Sequence, residues 1–264
     1  MPFIETNGIR YFLFDLLAEA RITQAIFTRH GGVSTHPWAG LNVGGTVGDD
    51  PQRVAENRQR AFHAVRRKPE SVYDVWQVHG NEVVCTENPR PLHVPHLKAD
   101  AILTGRPEVT LFMRFADCVP ILFYDPCRSV IGLAHAGWQG TVQKVAAAAV
   151  EGLQTRYGSR PADLLVGIGP SIGPHHYAVG PEVVEQVRRV FGQDAPALLP
   201  TRNGAASGVQ FDLWTANRLI LEQVGVRQIE VAAICTACHL EDWFSHRGEA
   251  GRTGRFGALI GLQK

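Results

Sequence analysis

Three side chains that can bind a metal ion stand where predicted strands end in turns. His79 comes directly before a glycine, Cys118 lies two residues before a proline, and His135 lies two residues before a glycine. Strand ends of this kind present side chains to a cleft, and two imidazoles with one thiolate match a catalytic zinc site whose fourth position stays open for water. Such an ion lowers the pKa of bound water to about 7 or neutralises the charge of a bound phosphate oxygen. The residue types therefore predict a zinc centre that supplies a nucleophile at neutral pH.

A structural interpretation of the same three residues stands beside the metal one. Free cysteine is among the most buried residue types, and histidine also occurs in cores and turns. The spacings of 39 residues (79 to 118) and 17 residues (118 to 135) match no local metal-binding signature. Spacing alone leaves both interpretations open.

A second cysteine motif, Cys235-Thr236-Ala237-Cys238, has the spacing of a redox pair or of half a structural zinc site. No second Cys-x-x-Cys occurs in the sequence, and the motif follows a late predicted strand. A pair of inert thiols is the expectation, and the role of the motif stays open. His239-Leu240-Glu241 contains the His-x-Glu of nucleobase deaminases, but here the cysteines come first and no proline precedes them, so we treat the match as chance.

The sequence also shows whether the chain has the copper ligands of a multicopper oxidase. Multicopper oxidases bind a three-copper cluster through paired His-x-His motifs, and the chain contains none. The nearest arrangements, His93-Val94-Pro95-His96 and His175-His176, fall in segments predicted to be surface loops. Copper outranks zinc in intrinsic affinity and can occupy the predicted zinc site, but a four-copper oxidase is not predicted.

Apolar periodicity predicts the elements that must position these residues. The first helix begins at Pro51, with Asp49 or Asp50 as its cap. The alternation of strands and helices indicates a mixed α/β protein with stacked layers, although the sequence alone does not separate two facing sheets from one long sheet. The predicted strands are 23–28, 72–78, 82–86, 101–104, 110–115, 120–124, 130–134, 164–168, 229–234 and 256–260, and the predicted helices are 51–66, about 142–157, 181–191 and 212–224.

Length and composition limit the class of protein. The 264 residues allow one large domain or a close-packed pair, and 26 basic against 25 acidic side chains give no reason to expect nucleic acid or an anionic membrane as partner. No run approaches the ~20 apolar residues of a bilayer span, and Met1–Glu5 lacks the pattern of a secretory signal. Five cysteines, an odd number, are expected to be thiols or metal ligands in a reducing compartment. We expect a cytoplasmic monomer.

Ten ordered segments resemble a known family over nearly the whole chain. They are Thr28–Ser34, Leu41–Gly44, Val47–Asp49, Glu56–Arg58, Gln77–Gly80, Ala99–Ala101, Ala116–Pro120, His135–Trp138, Gly169–Gly173 and Phe244–Arg247. The family is called peptidoglycan editing factor (PgeF), and its members also carry the names multicopper polyphenol oxidase, laccase-domain protein and purine nucleoside phosphorylase.

The resemblance implies a single PgeF/laccase-like domain over residues 1–264, folded as an α/β/β/α layered sandwich with mixed sheets. It implies that His79, Cys118 and His135 hold the zinc ion. It also implies phosphorolysis of purine nucleosides such as inosine and adenosine, which yields the free base and ribose 1-phosphate, together with deamination of adenosine.

Three positions depart from the pattern of the family. Gln139 replaces the arginine of a Trp-Arg-Gly segment, Arg247 lacks the second arginine that often follows it, and Ala178 occupies a position that is usually acidic. Two of the departures remove a cation, so we expect the handling of anions to differ from that of the family.

Phosphorolysis needs a cationic anchor for phosphate, hydrogen-bond donors for the base and a dry pocket. Arg29, Asn42 and Arg58 are the candidate substrate contacts, because two lie beside glycine pairs and a planar guanidinium suits phosphate. The alternative for Arg58 is a solvated helix face. Gln77, two residues before the first histidine of the zinc centre and therefore on the same strand face, is a candidate to contact ligand or orient the metal shell. Asp117 should point away from that face, so a structural role is expected.

The residues, together with what the resemblance implies, predict a zinc enzyme that binds a small nucleoside and phosphate. Phosphate held at the metal attacks the sugar carbon, and for adenosine a metal-bound hydroxide can attack the purine ring. One alternative, implied by the family name, is hydrolysis that removes mis-incorporated serine from UDP-muramyl peptide precursors. A second alternative is a zinc-containing binding protein without catalysis, which a closed four-ligand shell would favour.

Overall fold

Six α-helices and fourteen strands are described in a computed structural model that covers residues 3–18, 20–202 and 208–263. The predicted domain limits at residues 1 and 264 lie outside these ranges, so the extent of the domain stays a prediction. The helices are α1 (Pro51–Ala64), α2 (Trp138–Val142), α3 (Val145–Tyr157), α4 (Pro181–Phe191), α5 (Ala195–Leu198) and α6 (Leu213–Gln223). The strands are β1 (Phe3–Thr6), β2 (Ile9–Phe12), β3 (Ile22–Phe27), β4 (Val72–Tyr73), β5 (Val83–Cys85), β6 (Ala101–Thr104), β7 (Thr110–Phe115), β8 (Val119–Asp125), β9 (Val130–Ala136), β10 (Leu165–Ile168), β11 (Thr201–Arg202), β12 (Gly208–Val209), β13 (Gln228–Val231) and β14 (Phe256–Leu262).

The strands form two six-stranded sheets and a small two-stranded sheet, β11-β12. The first sheet has the order β1-β2-β3-β14-β7-β4, and the second has the order β13-β10-β8-β9-β6-β5. β14 comes from the far end of the chain and pairs antiparallel with both β3 and β7. Both sheets are mixed, because β4 runs parallel to β7, and β5 and β13 run parallel to their neighbours.

Three apolar clusters separate four layers. The middle cluster joins the facing sheets through residues such as Phe115 and Phe256 on one side and Leu133 on the other. A second cluster packs α1 on the outer face of the first sheet, and a third packs α3, α4 and α6 on the outer face of the second. Every residue of β8 and β9 is buried, as expected for strands covered on both faces. The α/β/β/α expectation is confirmed, which settles the choice between two facing sheets and one long sheet.

Several predicted boundaries move for local reasons. The predicted helix 142–157 is α3 with the last residue of α2; α2 itself was not predicted, and the two helices are separated at Lys144 in the left-handed conformation (φ 60°, ψ 43°). The predicted strand 72–78 pairs with β7 only over Val72–Tyr73, and Trp76 forms a separate parallel bridge with Lys98. The hairpin β1-β2 was not predicted, although its Asn7-Gly8 turn, with φ of 52° and 78°, is a typical two-residue hairpin signal.

The cap of α1 resolves the choice between two neighbouring aspartates. The Asp50 carboxylate accepts a hydrogen bond from the Gln52 backbone N–H at 2.8 Å, while Asp49 accepts bonds from Ser34 and Asn42 in the loop that precedes the helix. None of the helices in the described ranges combines the length and hydropathy of a membrane-crossing segment.

Candidate metal and anion site

The second sheet brings two of the predicted metal ligands together. β8 and β9 pair antiparallel with Pro120 opposite His135, so Cys118, just before β8, comes beside the end of β9. The third ligand, His79, lies in an irregular segment with φ 61°, which turns the chain towards the same point. The ligand atoms of His79, Cys118 and His135 all lie within 4.8 Å of one another. The three residues are far apart in sequence and match no local metal-binding signature, and strand pairing is what brings Cys118 and His135 together.

Asp100 positions both histidines from the neighbouring strand. It lies just before β6, and its Oδ1 contacts Nδ1 of His135 at 2.8 Å. The same carboxylate accepts backbone N–H bonds from Val78 at 3.1 Å, His79 at 3.0 Å and Gly80 at 2.7 Å. A carboxylate bound to one imidazole nitrogen leaves the other nitrogen for a metal, which is the usual arrangement around protein-bound zinc.

The charge state of Cys118 suits metal binding. Burial raises the pKa of the Cys118 thiol, but the charge and hydrogen bond of His135, with a further contribution from His79, outweigh burial and lower it to about 6. Burial lowers the pKa of His135, yet the Cys118 thiolate and Asp100 raise it to about 9. Cys118 is therefore a thiolate at neutral pH, which is the form that binds a metal, and a metal ion bound here would have to displace the His135 proton.

Close packing around this point requires a glycine. A Cβ atom at Gly137 would lie 2.9 Å from Sγ of Cys118 and 3.0 Å from Cδ2 of His79. Gly137 is also the residue before α2, where the chain leaves β9. The Ala-Gly-Trp segment after His135 thus keeps space beside the metal-binding atoms.

The three side chains lie on the wall of a cleft of about 640 Å³, within the range of small-molecule sites. The cleft also has basic and aromatic walls. Its other lining residues are Gly44, Gly45, Thr46, Arg58, Trp76, Gln77, His96, Arg114, Ala116, Asp117, Tyr177, His246, Arg247 and Arg255.

Two of the cleft arginines are partly buried without a carboxylate partner in the described part of the chain. Arg58 donates from Nε to the Val43 carbonyl at 3.0 Å, and Arg255 donates to the Gly254 carbonyl at 2.8 Å. Burial lowers the pKa of both guanidinium groups, and the charge of Arg114 lowers that of Arg58 further. An arginine stays protonated in a protein, so these cations favour a bound anion.

A third arginine of the cleft is fixed by an ion pair. Arg114 contacts the Asp74 carboxylate at 2.9 Å, and the same carboxylate contacts Arg90 at 2.8 Å and His96 at 3.1 Å. Asp74 is buried. Burial raises the pKa of Asp74, but the charges of Arg114 and His96 and the hydrogen bond and charge of Arg90 outweigh burial and lower it.

Of the four predicted substrate contacts, two line the cleft and two do not. Arg58 lines the cleft, so it is not on a solvated helix face. Gln77 also lines it, but its amide donates to the Arg114 carbonyl at 2.8 Å and accepts from the Arg114 N–H at 3.0 Å. Asn42 is buried beneath the cleft, where its Oδ1 accepts the N–H groups of Gly44 at 3.0 Å and Arg255 at 2.8 Å.

Like Asn42, Arg29 is a predicted substrate contact that does not line the cleft. Its Nη1 donates to the Leu240 carbonyl at 2.8 Å and to Glu249 at 3.1 Å, and its guanidinium lies 4.4 Å from the Phe244 ring centre. These contacts tie two loops together. Substrate contact by Arg29 stays a prediction.

Asp117 forms the structural contacts expected of it. Its carboxylate accepts hydrogen bonds from the hydroxyls of Thr236 and Ser245, both at 2.7 Å, and from the Arg247 N–H at 2.6 Å. With φ of 83°, Asp117 departs from strand geometry, and it lines the cleft beside Cys118. Asp117 therefore joins three separate segments directly behind the metal-binding atoms.

The family follows from a sequence comparison that covers most of the chain. The sequence pattern of the family described as "Multi-copper polyphenol oxidoreductase laccase" matches residues 23–263. The chain belongs to this family. A relative from Geobacillus stearothermophilus, "Purine nucleoside phosphorylase YlmD", is 40% identical over 247 residues, which is 90% of this chain and 89% of the relative. A "Purine nucleoside phosphorylase" from Deinococcus radiodurans is 39% identical over 244 residues, covering 92% and 90% of the two chains.

A solved structure from the laccase-like family has the same fold. The crystal structure of a Bacillus licheniformis hypothetical protein, YfiH, superposes with a TM-score of 0.90 at 33% identity, over 99% of each chain. The resemblance found in the sequence to this family and to its phosphorylase-named members is thereby confirmed.

Several residues of this site are not predicted from the sequence. Asp100 was noted only as part of a family segment, although an acidic residue just before a buried strand was a usable signal. Arg114 and Arg255 flank the ends of β7 and β14, where their charge interrupts or borders apolar strands. Trp76 and Tyr177 reach the cleft from irregular segments, and no sequence pattern placed them there.

Proposed function

We propose that the protein cleaves purine nucleosides with phosphate, using a zinc ion held by His79, Cys118 and His135. The observation that carries the proposal is one cleft in which these three side chains stand beside Arg58 and Arg255, two partly buried cations without a carboxylate partner within residues 3–18, 20–202 and 208–263. Relatives at 39–40% identity bear the name purine nucleoside phosphorylase.

The donor set supports zinc at this point. A thiolate and two imidazoles are ligands that zinc prefers, and three protein ligands leave one coordination position for water or substrate. Asp100 holds Nδ1 of His135 and leaves Nε2 for the metal. A bound zinc ion would supply a local positive charge for an anionic oxygen.

The arginines support phosphate as the second substrate. Planar guanidinium groups bind phosphate oxygens through paired hydrogen bonds. Arg58 and Arg255 enter the cleft from α1 and from the segment before β14. Arg247 adds a third cation: it lies 5.2 Å from the ring centre of Tyr177 and donates to the Ala178 carbonyl.

Aromatic residues support a purine as the group that leaves. Trp76, with half of its surface exposed, and the partly buried Tyr177 both line the cleft. Burial, with a contribution from the Cys118 thiolate, raises the pKa of Tyr177, so its hydroxyl stays neutral and can donate a hydrogen bond. Flat aromatic faces stack on nucleobases with about 1–3 kcal/mol per base.

The residues of the chain then divide the work of phosphorolysis. The arginines hold phosphate beside the sugar, the aromatic residues hold the base, and the closed wall behind Cys118 excludes water. A phosphate oxygen forms a new C–O bond at the sugar carbon while the C–N bond to the base breaks, and the electron pair stays on the base nitrogen. Positioning of this kind converts a two-body reaction into one within a single site.

The test is an incubation of metal-analysed protein with inosine, with and without phosphate. We expect hypoxanthine and ribose 1-phosphate to appear only with phosphate, and Cys118→Ala to lose both the cleft metal and turnover. Cys127→Ser, a change at an exposed cysteine outside the cleft, is the matched control and should keep both. Full turnover in metal-free Cys118→Ala would overturn the proposal.

The same incubation separates the other activities inferred from the family. Adenosine that yields inosine indicates deamination, and adenosine that yields adenine with phosphate indicates phosphorolysis. Free base that appears equally without phosphate indicates hydrolysis and contradicts the phosphate site. A serine-containing UDP-muramyl peptide that is cleaved while inosine is untouched would establish the editing hydrolase instead, and binding without any product would establish a binding protein.

A further inference from the structure

A second group of metal-binding side chains lies outside the cleft. It consists of His175, His176, Cys235 and Cys238, whose ligand atoms all lie within 4.8 Å of one another. The two histidines are adjacent in a short loop after β10, and the cysteines form the Cys-x-x-Cys motif after β13. None of the four lines the cleft described above. The sequence contains no second Cys-x-x-Cys, but the fold places two histidines beside the motif as further metal-binding side chains.

Strand pairing explains how the two loops meet. β10 and β13 are parallel neighbours, so their carboxyl ends lie side by side at one edge of the second sheet. The pairing continues beyond the strands, because Ser171 and Cys235 form a further parallel bridge. The Thr236 N–H donates to the Ser171 carbonyl at 3.1 Å. The loops are therefore held together by backbone bonds that do not involve the four side chains.

The separations within the group match tetrahedral coordination. With Zn–S near 2.3 Å and Zn–N near 2.0–2.1 Å, the edges of a tetrahedral shell measure roughly 3.3–3.8 Å. Nδ1 of His176 lies 3.5 Å from Sγ of Cys235 and 3.5 Å from Sγ of Cys238. Nε2 of His175 lies 3.0 Å from Sγ of Cys238, which is about 0.3 Å shorter than that range. The four ligand atoms all lie within 4.8 Å of one another.

A backbone donor faces the sulfur of one of the two cysteines. The Gly173 N–H donates to Sγ of Cys235 at 3.2 Å, and backbone donors of this kind stabilise a thiolate. Cys235 is buried, with 4% of its surface exposed, whereas Cys238 and His176 are exposed, so a metal ion can enter from solvent. Two thiolates and two imidazoles are the donor set of a closed structural zinc site.

We propose that His175, His176, Cys235 and Cys238 hold a second zinc ion with a closed, four-ligand shell, separate from the three-ligand centre in the cleft. The ion cross-links two loops that come from positions about 60 residues apart in the chain. A closed shell leaves no position for substrate, so the role is structural.

The cross-link stabilises the wall of the cleft. Tyr177, which lines the cleft, directly follows His176. Thr236, directly after Cys235, donates to Asp117 at 2.7 Å, and Asp117 lies next to Cys118. Each loop therefore links the proposed second zinc ion to one residue of the cleft wall through a single neighbour.

The test is the zinc content of the full chain, purified under reducing conditions without chelators. We expect about two zinc ions per chain, one closed and one open site. Cys238→Ser and His176→Gln should each retain about one, as should Cys118→Ala, and the double variant Cys118→Ala/Cys238→Ser should retain none. Cys127→Ser is the control and should retain both.

Cobalt gives a spectroscopic readout of the proposed site with its four ligands intact, and the double variant serves as the comparison. Cys118→Ala loaded with Co²⁺ should keep thiolate-to-cobalt charge-transfer absorption from Cys235 and Cys238, and the double variant should lose it. Wild type with about one zinc ion that Cys238→Ser does not alter would overturn the proposal. So would a Cys118→Ala protein whose bound Co²⁺ shows no thiolate absorption, or a Cys235–Cys238 disulfide in protein isolated without oxidant. Since zinc counting needs no substrate, these results do not depend on the proposed phosphorolysis.

Discussion

The Asp100 carboxylate is the contact whose removal should most selectively weaken the cleft metal site. The Asp100 carboxylate accepts four hydrogen bonds, one from His135 and three from the backbone of residues 78–80, and each oxygen accepts two of them. Asp100→Asn keeps the shape of the side chain but replaces one oxygen by an NH₂ group, which cannot accept those two bonds. Each hydrogen bond to a charged group contributes roughly 1.5–3 kcal/mol, so the loss of two bonds costs about 3–6 kcal/mol. This cost is divided between the free energy of unfolding and the free energy of metal binding. A histidine that loses its carboxylate partner typically loses metal affinity about 10–100-fold, or about 1.4–2.7 kcal/mol.

The assay is a competition titration of zinc against a chromophoric chelator, carried out in a Cys238→Ser background so that only the cleft site contributes. Inosine turnover of the zinc-saturated protein is measured beside it. Glu87→Gln, at an exposed ion pair with Arg106, is the control and should leave the affinity unchanged. If Asp100→Asn binds zinc as tightly as its parent, the positioning role assigned to Asp100 is wrong.

Three further changes test other parts of the account. Gly137→Ala places a Cβ atom 2.9 Å from the Cys118 sulfur, so we expect at least a tenfold loss of cleft-metal affinity in the same chelator titration. Arg58→Gln removes a cation that binds phosphate, so KM for phosphate in the inosine assay should rise about 10–100-fold with little change in KM for inosine. Asp74→Asn removes a buried carboxylate whose pKa is lowered from the usual 3.8. The wild type should therefore have a larger free energy of unfolding than the variant at pH values above 3.8, and this difference should shrink as the pH falls below 3.8.

Each of these changes has a matched control or a contradicting result. Gly180→Ala, where a Cβ atom meets nothing within 4 Å, should leave metal affinity intact, and equal losses at both glycines would contradict the packing argument. Arg60→Gln removes an exposed arginine of the same helix and should not alter KM for phosphate; an equal rise in both variants would point to overall charge. For Asp74, denaturant titrations that give a constant difference between wild type and variant down to about pH 2 would contradict the ion-pair account.

Local patterns in the sequence predict most of the fold. Long apolar runs such as Val130–Ala136 and helices with clear caps, such as α6 after Asp212, appear close to their predicted positions. Apart from the β1-β2 hairpin, whose local turn signal was missed, the errors at Lys144 and β4 lie where tertiary contacts decide. The helix break at Lys144 needs a left-handed residue that periodicity does not reveal. β4 is shorter than the predicted strand 72–78 because only Val72 and Tyr73 pair with β7.

The candidate site is predictable to a smaller extent. His79, Cys118 and His135 were chosen because each stands at a strand end, and strand register brings them together. Arg29 was chosen for its neighbouring glycines, but these serve a tight loop: a Cβ atom at Gly32 would lie 2.2 Å from the Gly40 carbonyl oxygen. Proximity to glycine in sequence does not distinguish a ligand-binding arginine from one that ties loops together.

The second metal group shows the same limit. The Cys-x-x-Cys motif and the His175-His176 pair were both noted in the sequence, but as inert thiols and as a surface loop. Only the parallel pairing of β10 with β13 places them at one edge of the sheet. A contact between residues about 60 positions apart has no signature in a single sequence.

Diffraction data collected at the zinc absorption edge, from crystals grown with phosphate, test the central claim most directly. The account predicts an anomalous peak bonded to His79, Cys118 and His135, with phosphate between that peak and the guanidinium groups of Arg58 and Arg255. Three side chains that surround no anomalous peak in zinc-replete protein, with phosphate bound elsewhere, would contradict it.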